Sequence, residues 1–229
     1  MDFLDRLLRR RGVASAVDVA CGTFAIDLRL AQRGFEIVGR DLSPDMVRVG
    51  RQAVREAGLR ADVAVADMRS LRMRRKFDAV ICLGTAFNYL VEARDVRRAF
   101  RSFRGLLGPG GLLVLDLTNF DAFIDHPMNA RAEIDYRAPD GTRVGVFGFN
   151  EQNAAKTIHI ARFLTVVHRG RDFDIAFDEA PLKVWRKEGL ARALAREGFR
   201  PIGWWGDLRT GARYRRKTSP RIVVVAALR

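Results

Sequence analysis

An apolar run, Val17-Asp18-Val19-Ala20, ends in the small-residue turn Cys21-Gly22-Thr23-Phe24, and a second run, Glu36-Ile37-Val38-Gly39-Arg40, ends on Asp41. A strand, a tight turn, a helix and a second strand closed by an acid about twenty residues on is the layout of a nucleoside-binding βαβ unit. Where strand passes into helix the backbone must come close to a ligand, which explains the small Ala20 and Gly22. A carboxylate ending the next strand can accept two hydrogen bonds from a ribose, and Asp41 has that place. The chain is therefore expected to hold an adenosine.

Two nucleoside cofactors compete for this layout. A dinucleotide needs Gly-x-Gly-x-x-Gly so that its pyrophosphate can rest on the helix N-terminus. The run here is Ala20-Cys21-Gly22-Thr23-Phe24-Ala25, and Phe24 is expected to crowd a phosphate. Hydride chemistry is disfavoured on that ground.

The run Asp18-Val19-Ala20-Cys21-Gly22-Thr23 resembles the first motif of class I S-adenosylmethionine-dependent methyltransferases, and the likeness continues along most of the chain. Asp67-Met68, then Phe77-Asp78-Ala79-Val80-Ile81-Cys82-Leu83-Gly84, then Leu107-Gly108-Pro109-Gly110-Gly111-Leu112 fall in the expected order. The stretch 77–88, Asn119-Phe120-Asp121 and Gly206-Asp207 look most like glycine N-methyltransferase and related small-molecule N-methyltransferases acting on amino acids or amino sugars. The resemblance implies an α/β fold: a Rossmann-like seven-stranded, mostly parallel sheet with helices on both faces and an inserted antiparallel β lid. Residues 1–119 and 180–229 would form the cofactor-binding core, and 120–179 the inserted substrate wall.

The same resemblance implies S-adenosylmethionine as cofactor, with S-adenosylhomocysteine as product. Its binding residues would be Asp18, Ala20, Cys21, Gly22, Thr23, Asp41, Leu42, Met46, Asp67, Met68, Leu83 and Gly84. Asp67 is placed near the adenine amino group and Met46 against the ring, although a solvated turn acid and a core methionine are the plain alternatives. For the methyl acceptor the resemblance implies Asn119 first, with Asn88 and Tyr89 beside it; a cap at the strand end is the alternative reading of Asn119. Arg143 or Arg162 would suit a carboxylate on the acceptor. Relatives carry a longer N-terminal segment that folds over the cofactor, so the pocket is expected to be more open or to be closed by another element.

At 229 residues and 25.8 kDa the chain can bury one good core. It has no run of about eighteen apolar residues and no signal-peptide pattern at its start, so a cytoplasmic protein without a membrane partner is expected. Cys21 and Cys82 both end buried strands and are expected to be reduced. His126, His159 and His168 lack the spacing of ligands, read as ordinary polar residues, and no metal is expected. There are 41 basic and 27 acidic residues, a net charge of +14. The excess is mostly arginine, which reads first as compositional bias or a solvated face and second as a polyanion surface.

Along the chain, helical patterns cover 2–11, the stretch up to Arg33, a helix starting at Ser43-Pro44, 92–107 and 187–197. Strand patterns cover 16–20, 35–40, 61–65, 77–83, 112–117, 200–205 and 221–228. Short alternating stretches at 143–149, 157–167 and 172–177, broken by turn residues, read as antiparallel strands. Methyl transfer from a sulfonium needs alignment of an amine lone pair and exclusion of water, with no catalytic triad. The expected function is methyl transfer to a small-molecule acceptor, an amine, by direct in-line displacement, in a monomer or homodimer. The alternatives are an RNA-binding or RNA-methylating protein, or a cofactor-binding protein that has lost catalysis.

Overall fold

The computed structural model describes residues 2–122 and 131–229, so His126 lies outside the described residues. The strands are β1 Ser15–Asp18, β2 Glu36–Asp41, β3 Val63–Val65, β4 Phe77–Cys82, β5 Leu107–Thr118, β6 Arg131–Arg137, β7 Arg143–Gln152, β8 Ile158–Arg169, β9 Asp172–Lys183, β10 Phe199–Trp205 and β11 Arg221–Leu228. The helices are α1 Asp2–Arg10, α2 Ala25–Gln32, α3 Pro44–Glu56, α4 Ala93–Leu106 and α5 Lys187–Arg196.

Seven strands form one sheet in the order β10-β11-β5-β4-β1-β2-β3. The pairs from β5 through β4, β1 and β2 to β3 are parallel, and β11 is antiparallel to both its neighbours. Successive side chains of a strand point to opposite faces, so a sheet covered on both sides needs apolar residues at nearly every position. The strands obey this: Leu113, Leu115 and Leu117 of β5 join the core with α4 and α5, while Leu112 and Val114 join the core with α1, α2 and α3. Phe100 and Phe103 of α4 and Leu190 and Leu194 of α5 fill the first core, whereas Leu4 and Leu8 of α1 and Val47 and Val54 of α3 fill the second.

Two differences from the sequence expectation concern the sheet. The strand expected at 112–117 begins at Leu107, because Leu107 already pairs with Phe77 before the register shifts and Ala79 pairs with Leu112. Residues 108–111, read as a turn, are the irregular opening of that ladder. The first strand is shorter than expected and ends at Asp18, since Val19 and Cys21 bond outward to Ile81 and Arg40 without continuing the strand.

The stretches after Asn119 form a second sheet, β6-β7-β8-β9, antiparallel throughout. Its last strand runs on to Lys183, well past the expected 177, because every residue from Asp172 to Lys183 finds a partner on β8. His159 is not an ordinary surface residue: it is buried, and its ring stacks on Phe120 at 4.1 Å between centroids. Burial pushes its imidazole down to about 4, which keeps it neutral. Among the described residues no helix is long and apolar enough to cross a membrane.

Entry into α3 follows the start signal in the sequence. Ser43 is the N-cap, its hydroxyl accepts from the Met46 amide at 3.3 Å, and Pro44 takes the first helical position. Replacing Ser43 with alanine is expected to lower stability by about 1 kcal/mol, read as a small drop in the urea midpoint.

Candidate functional site

The chain runs outward from β1 through β2 to β3, then crosses back to lay β4 on the other side of β1. Such a reversal splays the loops apart at the carboxyl ends of the two central strands, where open α/β sheets receive ligands. A cavity of about 930 Å³ lies there. Its wall comes from four loops in turn: Asp18 to Thr23 after β1, Asp41 to Ser43 after β2, Ala66 to Arg69 after β3, and Leu83, Gly84 and Ala86 after β4. Asp18, Ala20, Cys21, Gly22, Thr23, Asp41, Leu42, Met46, Asp67, Met68, Leu83, Gly84 and Tyr89 all line it.

Asp41 holds two of these loops together. One carboxylate oxygen accepts from the Gly22 amide at 2.8 Å and the other from the Ser43 amide at 2.9 Å. Gly22 lies at φ 53°, in the left-handed region that suits glycine, with open space where a Cβ would stand. The Asp67 carboxylate is gripped by Arg69, whose Nη2 donates to it at 2.7 Å, and this hydrogen bond holds Asp67 below the usual carboxylate range. Arg69 also reaches Asp95 on α4 at 2.9 Å. Leu42, Met46 and Tyr89 are exposed large side chains on the rim, so Met46 belongs to the rim and not to the core.

The floor is acidic. Asp18 is buried, one oxygen accepts from the Ala20 amide at 2.9 Å, and its carboxyl is pushed up to about 7, first by burial and then by the nearby Asp41 charge. Asp27, in the first turn of α2, is 1% exposed and lines the cavity, and neither carboxylate oxygen has a hydrogen-bond partner. Burial first, and the charge of Asp18 second, hold it well above the ordinary range. Burial likewise pushes up the Cys21 and Cys82 thiols, and both cysteines are free.

Phe24 departs from the sequence expectation. It adopts φ 62°, rare for a bulky residue, and its ring is fully buried. A Cβ on Gly39 of β2 would come within 2.7 Å of that ring, and one on Gly50 of α3 within 3.1 Å of the Phe24 Cβ. Phe24 is absent from the cavity wall: its ring packs into the gap that Gly39 leaves, with Gly50 against its Cβ. The expectation that it crowds a phosphate is corrected accordingly.

The two asparagines also differ from expectation. Asn88 is fully buried; its amide donates to the Lys183 carbonyl at 2.8 Å and its oxygen accepts from the Thr118 amide at 3.3 Å. Asn119 is fully buried and donates to the Arg216 and Ser219 carbonyls at 2.8 and 2.7 Å. Neither lines the cavity, so both act as positioning residues that fasten the end of β5, and the strand-end reading of Asn119 describes its place. Of the two arginines suggested for a carboxylate, Arg162 is engaged by Glu151 and Glu179, each at 2.7 Å, and Arg143 lies 3.7 Å from Asp135.

Two residues of chemical weight escaped the sequence reading. Asp27 is a single acid in the first turn of a helix, where a carboxylate usually answers the helix dipole in solvent. Its only signal was its nearness to Asp18, nine residues earlier across the turn between β1 and α2. Arg221 on β11 donates to both oxygens of Asp116, at 2.8 and 2.9 Å, and to Thr85 and Thr118 at 2.9 Å. It pins the Gly84-Thr85 turn from more than a hundred residues away, which no local pattern announces.

Together the reversed strand order, the acid-ended β2 and the apolar rim define a nucleoside-binding α/β protein. A family model described as a methyltransferase domain matches residues 16–111. The glycine/sarcosine N-methyltransferase of Halorhodospira halochloris is 30% identical over 210 residues, 91% of this chain and 74% of that protein. A second glycine/sarcosine N-methyltransferase, from Parasynechococcus marenigrum, is 37% identical over 126 residues, 54% of this chain and 45% of the other. The sugar N-methyltransferase KedS8 from Streptoalloteichus is 22% identical, with a TM-score of 0.81 over all of this chain and 86% of that one, which speaks to the fold. The chain belongs to the class I S-adenosylmethionine-dependent methyltransferases.

Proposed function

We propose that the protein methylates a small-molecule amine, with the cofactor lying across the loops after β1 and β2. The observation that supports this most is one cavity gathering the Gly22 turn, the Asp41 carboxylate and the rim of Leu42, Met46 and Tyr89. These groups fit the cofactor: an acid for a ribose, a Cβ-free turn for an amino-acid tail, and an apolar rim for a flat base. When bound, the cofactor supplies a methyl group already activated by a positive sulfur. What the chain must add is position. Asp41 orients the sugar, the backbone from Ala20 to Thr23 runs beside the tail, and the wall excludes water. Asp67, held by Arg69, stands on the side assigned to the base. Tyr89, 56% exposed on the rim, is our choice for the acceptor contact. The acceptor nitrogen must arrive with its lone pair free, and no nucleophile of the chain has to intervene.

Purified protein given cofactor labelled at the methyl group is expected to label glycine, sarcosine or an amino sugar. Label appearing only in added tRNA would overturn this reading. An RNA acceptor is favoured by one observation, a recess of about 570 Å³ lined by Arg69, Arg72, Lys76, Arg98 and Arg101. Much of that charge is already engaged: Arg69 with Asp67 and Asp95, Arg98 with Asp95, and Arg101 with Glu197. Tyr89→Ala is expected to raise the acceptor KM by roughly tenfold, about 1.4 kcal/mol, with a smaller change in kcat.

A further inference from the structure

Asp27 has no evident structural reason to be an acid. It is 1% exposed, neither oxygen is hydrogen-bonded, and leaving a buried carboxylate without partners is among the more costly things a fold can do. Burial and the neighbouring Asp18 both oppose its ionisation. The titratable groups that act on it are Asp18 on β1 and Cys21 in the following turn, and Asp41 at the end of β2 in turn acts on both of those. All of these are acids or thiols. Asp27 lies in the wall of the cavity that Asp18 also lines.

Two carboxyl groups that share a dry site cannot both ionise cheaply, and the pair keeps a proton until a cation arrives. S-adenosylmethionine and its product carry such a cation, the ammonium of the amino-acid tail, and the reading above lays that tail along the turn beside Asp18. We propose that Asp27 stays a neutral acid in the empty protein and ionises against that ammonium, so that binding the cofactor expels one proton to solvent. The proposal rests on the placement of the tail and adds a proton-linked determinant of affinity. The direction follows from linkage: a reaction that releases a proton is favoured as pH rises, until the empty pair is already ionised.

Calorimetric titration with S-adenosylhomocysteine, repeated in buffers of different ionisation enthalpy, counts the protons released. The native protein is expected to release close to one near pH 7 and to bind more tightly from pH 6 to 8, at most about tenfold per pH unit. Asp27→Asn, which keeps the shape of the neutral acid, is expected to release almost none and to bind with a flat pH profile. A buried acid raised above its unfolded value loses stability as pH climbs, so the empty Asp27→Asn protein should melt no lower than the native one at pH 8. As an arm that needs no variant, 5′-methylthioadenosine lacks the amino-acid tail and is expected to bind without releasing a proton. Equal proton release by Asp27→Asn, or by 5′-methylthioadenosine, would overturn the proposal. Failure of the native protein to bind S-adenosylhomocysteine at all would instead overturn the cofactor placement.

Discussion

Replacing Asp41 with alanine is expected to weaken S-adenosylhomocysteine binding roughly a hundredfold, about 3 kcal/mol, as measured by calorimetry. Two effects combine. The proposed sugar contacts vanish, and each hydrogen bond to a charged acceptor contributes about 1.5–3 kcal/mol. The Gly22 and Ser43 amides also lose their shared acceptor, so the turn after β1 and the start of α3 lose their tie. Asp41→Asn separates the two effects, since its single carbonyl oxygen can satisfy only one amide. It should fall between the native and alanine proteins. Affinity unchanged within twofold in Asp41→Ala would remove the ribose role from position 41.

The second large effect concerns folding. Phe24→Ala is expected to cost about 3–5 kcal/mol, the usual range for removing a buried aromatic ring, with a matching fall in the urea midpoint. The left-handed backbone at position 24 gives alanine no relief, because strain there comes from Cβ itself. The converse substitution tests the same packing: Gly39→Ala puts a methyl 2.7 Å from the ring and 2.9 Å from the Cys21 sulfur. Overpacking of that kind costs about 1–3 kcal/mol, and it should shift the turn that carries Gly22. A Phe24→Ala protein as stable as the native one would mean that the ring is not held as the structure shows.

Much of the fold was legible because each strand and helix carries a local signal. Continuous apolar runs marked the central strands, the Ser43-Pro44 pair marked a helix start, and alternation marked the second sheet. The cavity wall was legible for a similar reason: its residues follow strand ends in sequence, and a parallel sheet brings successive strand ends to one side. What resisted reading was direction and distance. Nothing local to Phe24 says that its backbone is left-handed or that its ring packs where Gly39 lacks a side chain. Asn88 and Asn119 are polar residues in loops at the proper edge, yet their amides serve carbonyls at Lys183, Arg216 and Ser219, about a hundred positions away. Asp27 escaped notice because an acid in the first turn of a helix is ordinary and burial is a property of the assembled layers.

Every residue lining the large cavity falls between Asp18 and Leu90. The strands β6 to β9 follow that stretch and pair only with one another. Catalyst redesign can therefore proceed by exchange: a chimera carrying another protein's hairpins after β5 would keep every residue of this cavity and present it to a different clientele, so long as the Lys183 carbonyl that holds Asn88 is retained.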